Sequence, residues 1–203
     1  MEIKNIIFDM GNVLTTFNLR DYLRNYVETE EDFQIMKKEV CQSVEWLMMD
    51  RGTITDEEAI LSICQRVPKR LYKTVQRYIC EYRMEQPPNP PMEQLVYELS
   101  QNGYRLFLLS NTSHRFRVFS KKIKSIDYME GIWISCEHRL LKPDLDAYRD
   151  FLQEFSLQPE ECFFIDDTVA NIESAMYLGI RGHVFDGNVD TLRRVLKKNG
   201  VKL

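Results

Sequence analysis

The sequence predicts an α/β fold: a parallel sheet covered by helices on both faces, with an all-helical segment inserted near its start. Two observations carry this reading. Short apolar runs rich in β-branched and aromatic residues alternate with helical patterns along most of the chain, the order of successive βαβ units. From about Leu19 to Met84 the alternation stops, and helix patterns succeed one another without a convincing strand between them.

The first strand is predicted at residues 3–9, Ile-Lys-Asn-Ile-Ile-Phe-Asp, a run of the kind buried on both faces of a sheet. The insert follows. Within it Phe33, Met36, Val40, Val44 and Leu47 recur at helical spacing and predict one helix over 33–48. Thr55 and Glu58 have the spacing of a capping box, in which each side chain satisfies the other's orphan backbone N–H, and they open a helical stretch through Val67 that Pro68 stops. Pro87-Pro88-Asn89-Pro90-Pro91 predicts a stiff, extended return to the sheet. Next come a helix over Met92–Gln101, closed by Asn102-Gly103, and strands over Tyr104–Leu109 and Gly131–Ser135. A helix over Leu145–Phe155, a strand over Cys162–Ile165, a helix over Val169–Leu178 and a short strand over His183–Phe185 complete the pattern. The expected core is a Rossmann-like sheet built from residues 1–16 and 88–203, and the helical insert spans 17–87.

With 203 residues, 44% of them hydrophobic, the chain is long enough for one well-buried core plus a smaller unit. Lys+Arg 27 against Asp+Glu 31 leaves a net charge of -4, without the basic surplus that a nucleic-acid backbone requires of its partner. No apolar run approaches the ~20 residues that span a bilayer, and the chain opens with Glu2 and Lys4 rather than an apolar signal segment; a cytoplasmic protein off the membrane is expected. Cys41, Cys64, Cys80, Cys136 and Cys162 form no CxxC pair or Cys/His cluster and read as reduced thiols. Nothing in the pattern calls for an obligate protein partner.

In open parallel sheets ligands bind beyond the carboxyl ends of the strands, so the polar residues that directly follow each apolar run matter most. Here they are Asp9 and Gly11 after the first run, Ser110, Asn111 and Thr112 after the second, and Asp166 and Asp167 after the fourth, with Lys142 a few residues beyond the third. Taken singly, such residues cap helices or close Asx turns, and Lys142 is a solvated loop lysine. Together they are harder to dismiss, because three carboxylates in a single cleft repel one another unless a cation or proton compensates. Mg²⁺ suits oxygen ligands such as Asp9, Asp166 and Asp167 with a backbone carbonyl near Gly11. Ser110, Asn111 and Lys142 would then meet the oxygens of a phosphorylated small molecule, and Asp9 would attack phosphorus.

These residues resemble the ordered motifs of the haloacid dehalogenase-like hydrolase superfamily. Phe8-Asp9-Met10-Gly11-Asn12-Val13-Leu14 is similar to its nucleophile motif, Leu108-Leu109-Ser110-Asn111-Thr112 to its hydroxyl motif, Leu141-Lys142-Pro143-Asp144 to its lysine motif, and Phe164-Ile165-Asp166-Asp167 with Asn171 to its acidic metal motif. The resemblance implies a magnesium-dependent phosphatase working through an aspartyl-phosphate on Asp9, and it likens the insert to the family's small helical cap. Phosphatases of the family usually carry a second aspartate two residues after the nucleophile, as acid for the leaving group and base for water. Gly11 stands there instead. That loss, on the order of 10²–10⁴ in rate for a basic leaving group, favours phosphates that depart without a proton, such as anomeric sugar phosphates. The wording around Gly11, and Asp50-Arg51-Gly52-Thr53-Ile54-Thr55-Asp56-Glu57, also resemble a branch acting on α-D-glucose 1-phosphate. What activates water is left open, with His114 or a cap residue as candidates.

Two alternatives remain at this level. A metal-independent 2-haloacid dehalogenase shares the aspartate and lysine but has no use for paired acids at Asp166-Asp167. A catalytically impaired phosphate-binding regulator would explain Gly11. Arg20, Trp46 and Arg51 lie in the insert within possible reach of a ligand, but arginines on helix surfaces and a tryptophan packed inside the insert are the plainer expectation.

Overall fold

The computed structural model describes residues 1–82, 87 and 89–203. The sheet consists of β1 (Asn5–Phe8), β2 (Arg105–Ser110), β3 (Gly131–Ile134), β4 (Cys162–Asp166) and β5 (Arg181–Val184). All are parallel, in the order β3-β2-β1-β4-β5. After β1 the chain builds outward through β2 and β3, then crosses back to add β4 on the other side. The order therefore reverses between β1 and β4, where open sheets leave a crevice at the carboxyl edge. Successive side chains point to opposite faces: Ile6, Phe8, Leu106, Leu108, Phe163 and Ile165 enter one apolar core, and Ile7, Phe107, Leu109, Trp133 and Phe164 enter another.

The insert contains α1 (Leu19–Arg24), α2 (Glu30–Met36), α3 (Val44–Arg51), α4 (Asp56–Cys64) and α5 (Tyr72–Glu81). It encloses a third apolar core, including Leu23, Phe33, Met36, Val40, Met49, Ile63, Val75 and Tyr78. The remaining helices are α6 (Pro90–Gln101), α7 (Phe116–Phe119), α8 (Ser135–His138), α9 (Leu145–Glu154), α10 (Val169–Tyr177) and α11 (Val189–Lys198). Leu192 and Leu196 of α11 and Leu95 and Leu99 of α6 pack under one face of the sheet. Ala147, Tyr148 and Phe151 of α9 and Ile172 and Ala175 of α10 pack under the other. Among the described residues no helix is long and apolar enough to cross a membrane, and all five cysteines are free.

Several expectations need revision. The helix expected over 33–48 is two α-helices with a five-residue π-helical turn, Lys37–Cys41, between them. Ser43 causes the break: its hydroxyl donates to the Val40 carbonyl at 2.8 Å and accepts from the Trp46 N–H at 3.1 Å, capping a new helix with a shifted phase. Val44 and Leu47, expected inside, are consequently exposed, while Met49 is buried. Within the expected connector Pro90 and Pro91 instead open α6, where the missing proline N–H groups are not needed. Residues 83–86 and 88, and with them the expected end of the strand-free stretch at Met84, lie outside the described residues. The last strand begins at Arg181 rather than His183, and α11 has no counterpart among the predicted elements. The capping box at Thr55 and Glu58 is present in both directions.

The insert is also held by a charged contact. Glu45, largely buried on α3, receives two hydrogen bonds from Arg66 at 2.7 and 2.8 Å and one from Ser62 at 2.6 Å. These bonds, led by Arg66, hold the Glu45 carboxyl well below its ordinary 4.5, at about 2. A depressed carboxylate stabilises the fold above its unfolded value and stops doing so as pH falls through the folded one. We expect Glu45→Gln to lower stability at pH 7 by about 1–3 kcal/mol, with the gap to wild type closing between pH 4.5 and 2. Denaturant titrations across that range check both the size and the sign.

Candidate active site

Asp9 directly follows β1 and Asp166 ends β4, so the parallel pairing of these two strands brings both carboxylates to the same edge. Between them sits Lys142, which follows α8 and precedes α9. Its ammonium donates to Asp9 Oδ1 at 2.8 Å and to Asp166 Oδ2 at 2.6 Å, and its side chain is only 1% exposed. The Lys142 backbone is held in turn by Asn111, whose side-chain amide accepts from the Lys142 N–H at 2.9 Å and donates to the Lys142 carbonyl at 2.8 Å. Asn111, expected to meet a ligand, thus has a measurable positioning task on the lysine. The Lys142-Pro143 peptide is cis.

Asp166 is fully buried and saturated with donors: the Thr168 N–H at 2.8 Å and Asn171 Nδ2 at 2.9 and 3.0 Å add to Lys142. Tyr148 of α9 donates to the Asn171 carbonyl at 2.8 Å, tying α10 to α9 beneath the site. Asp167, the most accessible of the three acids, accepts from Asn12 Nδ2 at 2.8 Å. Asn12 adopts a left-handed backbone, φ 57, and its side-chain oxygen accepts from the Phe17 N–H at 3.2 Å, so the turn after Gly11 is fastened to the acidic pair.

Burial pushes the Asp9 carboxyl up, Lys142 opposes this, and Asp166 adds to it; the outcome lies above the ordinary carboxylate value. Burial alone would lower the Lys142 ammonium, yet Asp9 and Asp166 outweigh it and raise its pKa, which keeps it charged. One ammonium therefore faces three carboxylates, whose oxygens on Asp9, Asp166 and Asp167 lie within 4.8 Å of one another. Such a hard-oxygen set with excess negative charge suits a divalent cation such as Mg²⁺.

Asp9, Gly11, Ser110, Asn111 and Lys142 line one cavity of about 190 Å³ with Met10, Thr112, Thr168 and Asn171. The sequence-derived residues therefore converge. The same cavity is lined by Trp46, Asp50 and Tyr82 from the insert. Trp46 meets both expectations at once, since its ring also packs edge-on against Tyr82 at 4.5 Å and beside Tyr78 at 6.0 Å. Asp50 opens the insert stretch likened to the α-D-glucose 1-phosphate branch, but no pattern in the sequence placed it or Tyr82 at the cleft. Arg20 lies over the Phe33 ring and Arg51 pairs loosely with Asp144 at 3.7 Å; neither lines the cavity. His114 is likewise elsewhere, in a groove between Thr55–Glu58 and Ser113–Val118, with Nδ1 3.5 Å from Cys136 Sγ.

With this geometry in view, the comparisons with known proteins are consistent with one another. The model of the haloacid dehalogenase-like hydrolases matches residues 3–179. A sesquiterpene phosphatase of Aspergillus oryzae is 25% identical over 188 residues, covering 90% of each chain. Flavin mononucleotide hydrolase 1 of Arabidopsis thaliana is 26% identical over 112 residues, 55% of this chain and 45% of that longer protein. Among solved structures, a HAD family enzyme of Bacteroides thetaiotaomicron in complex with magnesium and inorganic phosphate shares the fold, with a TM-score of 0.72, 23% identity and coverage of 92% and 96%. The L-2-haloacid dehalogenase of Xanthobacter autotrophicus does so more distantly, with a TM-score of 0.63, 14% identity and coverage of 89% and 76%. By the extent of the family match, and with the four motifs converging on one cleft, the chain belongs to the haloacid dehalogenase-like hydrolases.

Proposed function

We propose that this hydrolase is a magnesium-dependent phosphatase of a small phosphorylated metabolite, with a sugar 1-phosphate as the favoured substrate. The observation that carries the reading is the buried contact of Lys142 with Asp9 and Asp166, beside Asp167 and in one cavity with Ser110. A carboxylate that displaces halide from carbon has no need of two further acids beside it, whereas phosphoryl transfer needs compensating positive charge for the phosphate. The phosphatase and flavin mononucleotide hydrolase among the relatives point the same way. Residues 1–16 and 88–203 serve as the catalytic core, and residues 17–87 as a cap over the cleft. A cavity of about 190 Å³ is below the roughly 300–1,000 Å³ of sites for drug-sized ligands and favours a small substrate.

In this mechanism Asp9 attacks phosphorus in line, forming an aspartyl-phosphate as the bond to the leaving oxygen breaks. Lys142 holds the Asp9 carboxylate in place and offers its ammonium to the phosphoryl oxygens, and the Ser110 hydroxyl donates to another of them. Asn111 keeps Lys142 at its station through the backbone. Water then attacks the same phosphorus and releases phosphate with Asp9 restored. Asp9, Asp166 and Asp167, with the Gly11 backbone, would hold Mg²⁺, which supplies charge neutralisation on the transferring group. A sugar 1-phosphate suits Gly11 because its leaving group departs with little need of a proton.

Phosphate release from sugar 1-phosphates, sugar 6-phosphates, acetyl phosphate and p-nitrophenyl phosphate, with magnesium and with EDTA, tests this directly. We expect turnover that EDTA abolishes and magnesium restores, fastest with 1-phosphates among the sugars. Silence across the panel, or magnesium-independent halide release from 2-haloacids, would overturn the reading. Asp9→Asn should retain fold and melting temperature while losing on the order of 10³-fold or more in kcat, since an amide preserves shape but not nucleophilicity. By contrast, Lys142→Met should lose stability as well, by about 3–5 kcal/mol, because it strands two buried carboxylates. Thermal melts of the two variants side by side distinguish the nucleophile from the charge that holds it.

A further inference from the structure

Water attack on an aspartyl-phosphate requires a base whatever the leaving group, and Gly11 cannot be that base. Among the described residues lining the cavity, Asp9 is committed as nucleophile, and Lys142 already donates its ammonium to two carboxylates. Ser110, Asn111, Thr112, Thr168 and Asn171 are hydroxyls and amides with no basic function near neutral pH. The Tyr82 phenol is a hydroxyl donor and acceptor like them rather than an ionised base. Trp46 has no basic atom, and His114 lies in a separate groove. One lining group remains: Asp50, on the second-last residue of α3.

Asp50 is also held in place. Its backbone carbonyl accepts from Ser135 Oγ at 2.5 Å, and Ser135 Oγ accepts in turn from the Thr112 N–H at 2.9 Å, so two hydrogen bonds join Asp50 to the loop that follows Ser110. Gly52, two residues on, adopts φ +69, and a Cβ there would overlap the Cys136 carbonyl oxygen, so the insert and core backbones meet without room for a side chain. Arg115 reaches across to Asp56 at 2.7 Å beside this contact. Moreover, a carboxylate in the last turn of a helix faces the negative end of the helix dipole, an arrangement that helix stability does not favour. Departures of that kind concentrate at functional sites.

We propose that Asp50, supplied by the insert, is the base that activates water in place of the residue missing at Gly11. This rests on the phosphatase reading above. In the second half-reaction the Asp50 carboxylate takes a proton from water, the water oxygen bonds to phosphorus, and the bond from phosphorus to the Asp9 oxygen breaks. Phosphate leaves, Asp9 regains its carboxylate, and Asp50 gives its proton to solvent or, in the next cycle, to the leaving oxygen.

The test is Asp50→Asn, an isosteric change, with p-nitrophenyl phosphate under rapid mixing. We expect one equivalent of p-nitrophenolate released in a burst, a steady-state rate reduced by about 10²–10⁴-fold, and a phosphorylated protein that accumulates and is seen by intact mass. Adding Gly11→Asp to this variant should recover part of the steady-state rate. Turnover of Asp50→Asn within threefold of wild type overturns the assignment, as does a raised KM with unchanged kcat, which would make Asp50 a binder of substrate hydroxyls. Equal loss of burst and steady-state rate, without accumulated phosphoprotein, overturns it too. An active wild type beside an unaffected Asp50→Asn removes this inference alone, whereas an inactive wild type removes the phosphatase reading and this inference with it.

Discussion

The contact of the Lys142 ammonium with Asp9 and Asp166 is the constraint on which the rest of the cleft depends. Taking an ammonium and two carboxylates out of water costs several kcal/mol per ion, so the arrangement persists only because each charge is met at hydrogen-bond distance. The sheet order places β1 beside β4 and so sets the spacing of the two acids. Asn111, from the loop after β2, holds the lysine backbone, while Asn171 and the Thr168 N–H complete the shell of Asp166. Every strand neighbouring β1 thus contributes to keeping one lysine in place. Removing the lysine would strand two buried carboxylates, whereas removing an amide beside it would leave the charges paired but less firmly held.

The insert meets this unit through a small, crowded contact. Gly52 lies against the Cys136 carbonyl, Ser135 bridges Asp50 to Thr112, and Trp46 and Tyr82 close the cavity from above. Behind them Tyr22 and Tyr78 pack against Tyr82, and Tyr26 against Tyr22 and Tyr78, so the wall of the cleft is continuous with the insert's own apolar core. Aromatic rings therefore form the insert side of the cavity. Glu45 and Arg66 add a charged tie between α3 and the end of α4, the helix pair whose junction carries Asp50 and Gly52.

How far the sequence could be read follows from the range of the interactions involved. Asp9, Ser110 and Asp166 were legible because a parallel sheet brings the carboxyl ends of its strands to one edge, so residues that end apolar runs converge whatever their separation along the chain. Lys142 was legible only as part of the ordered set, since its contact with two acids depends on a loop whose course no local pattern specifies. The helix over 33–48 was misread for a similar reason. Its apolar spacing is genuine through Val40, but the hydrogen bonds of Ser43 reset the phase, and periodicity does not reveal where a polar side chain turns back on the backbone. Trp46 was weighed as a ligand contact and expected to pack instead, because its place in the cavity wall is visible only once the insert is docked.

By itself, then, the sequence determined the alternation of strands and helices, the strand-free insert, and the acids and hydroxyl at the strand ends, because these follow from side-chain period and from bonds made within a few residues. Tertiary structure decided which insert residues reach the cavity, that Asn111 positions the lysine, and that Asp50 lines the cavity that holds Asp9 while His114 does not. Those outcomes depend on backbones meeting across 31, 85 or more residues of chain, as in the bonds between Asn111 and Lys142 and between Asp50 and Ser135. Such contacts are selected by how whole elements pack, and a glycine where two backbones touch carries no local sign of the carbonyl it will face.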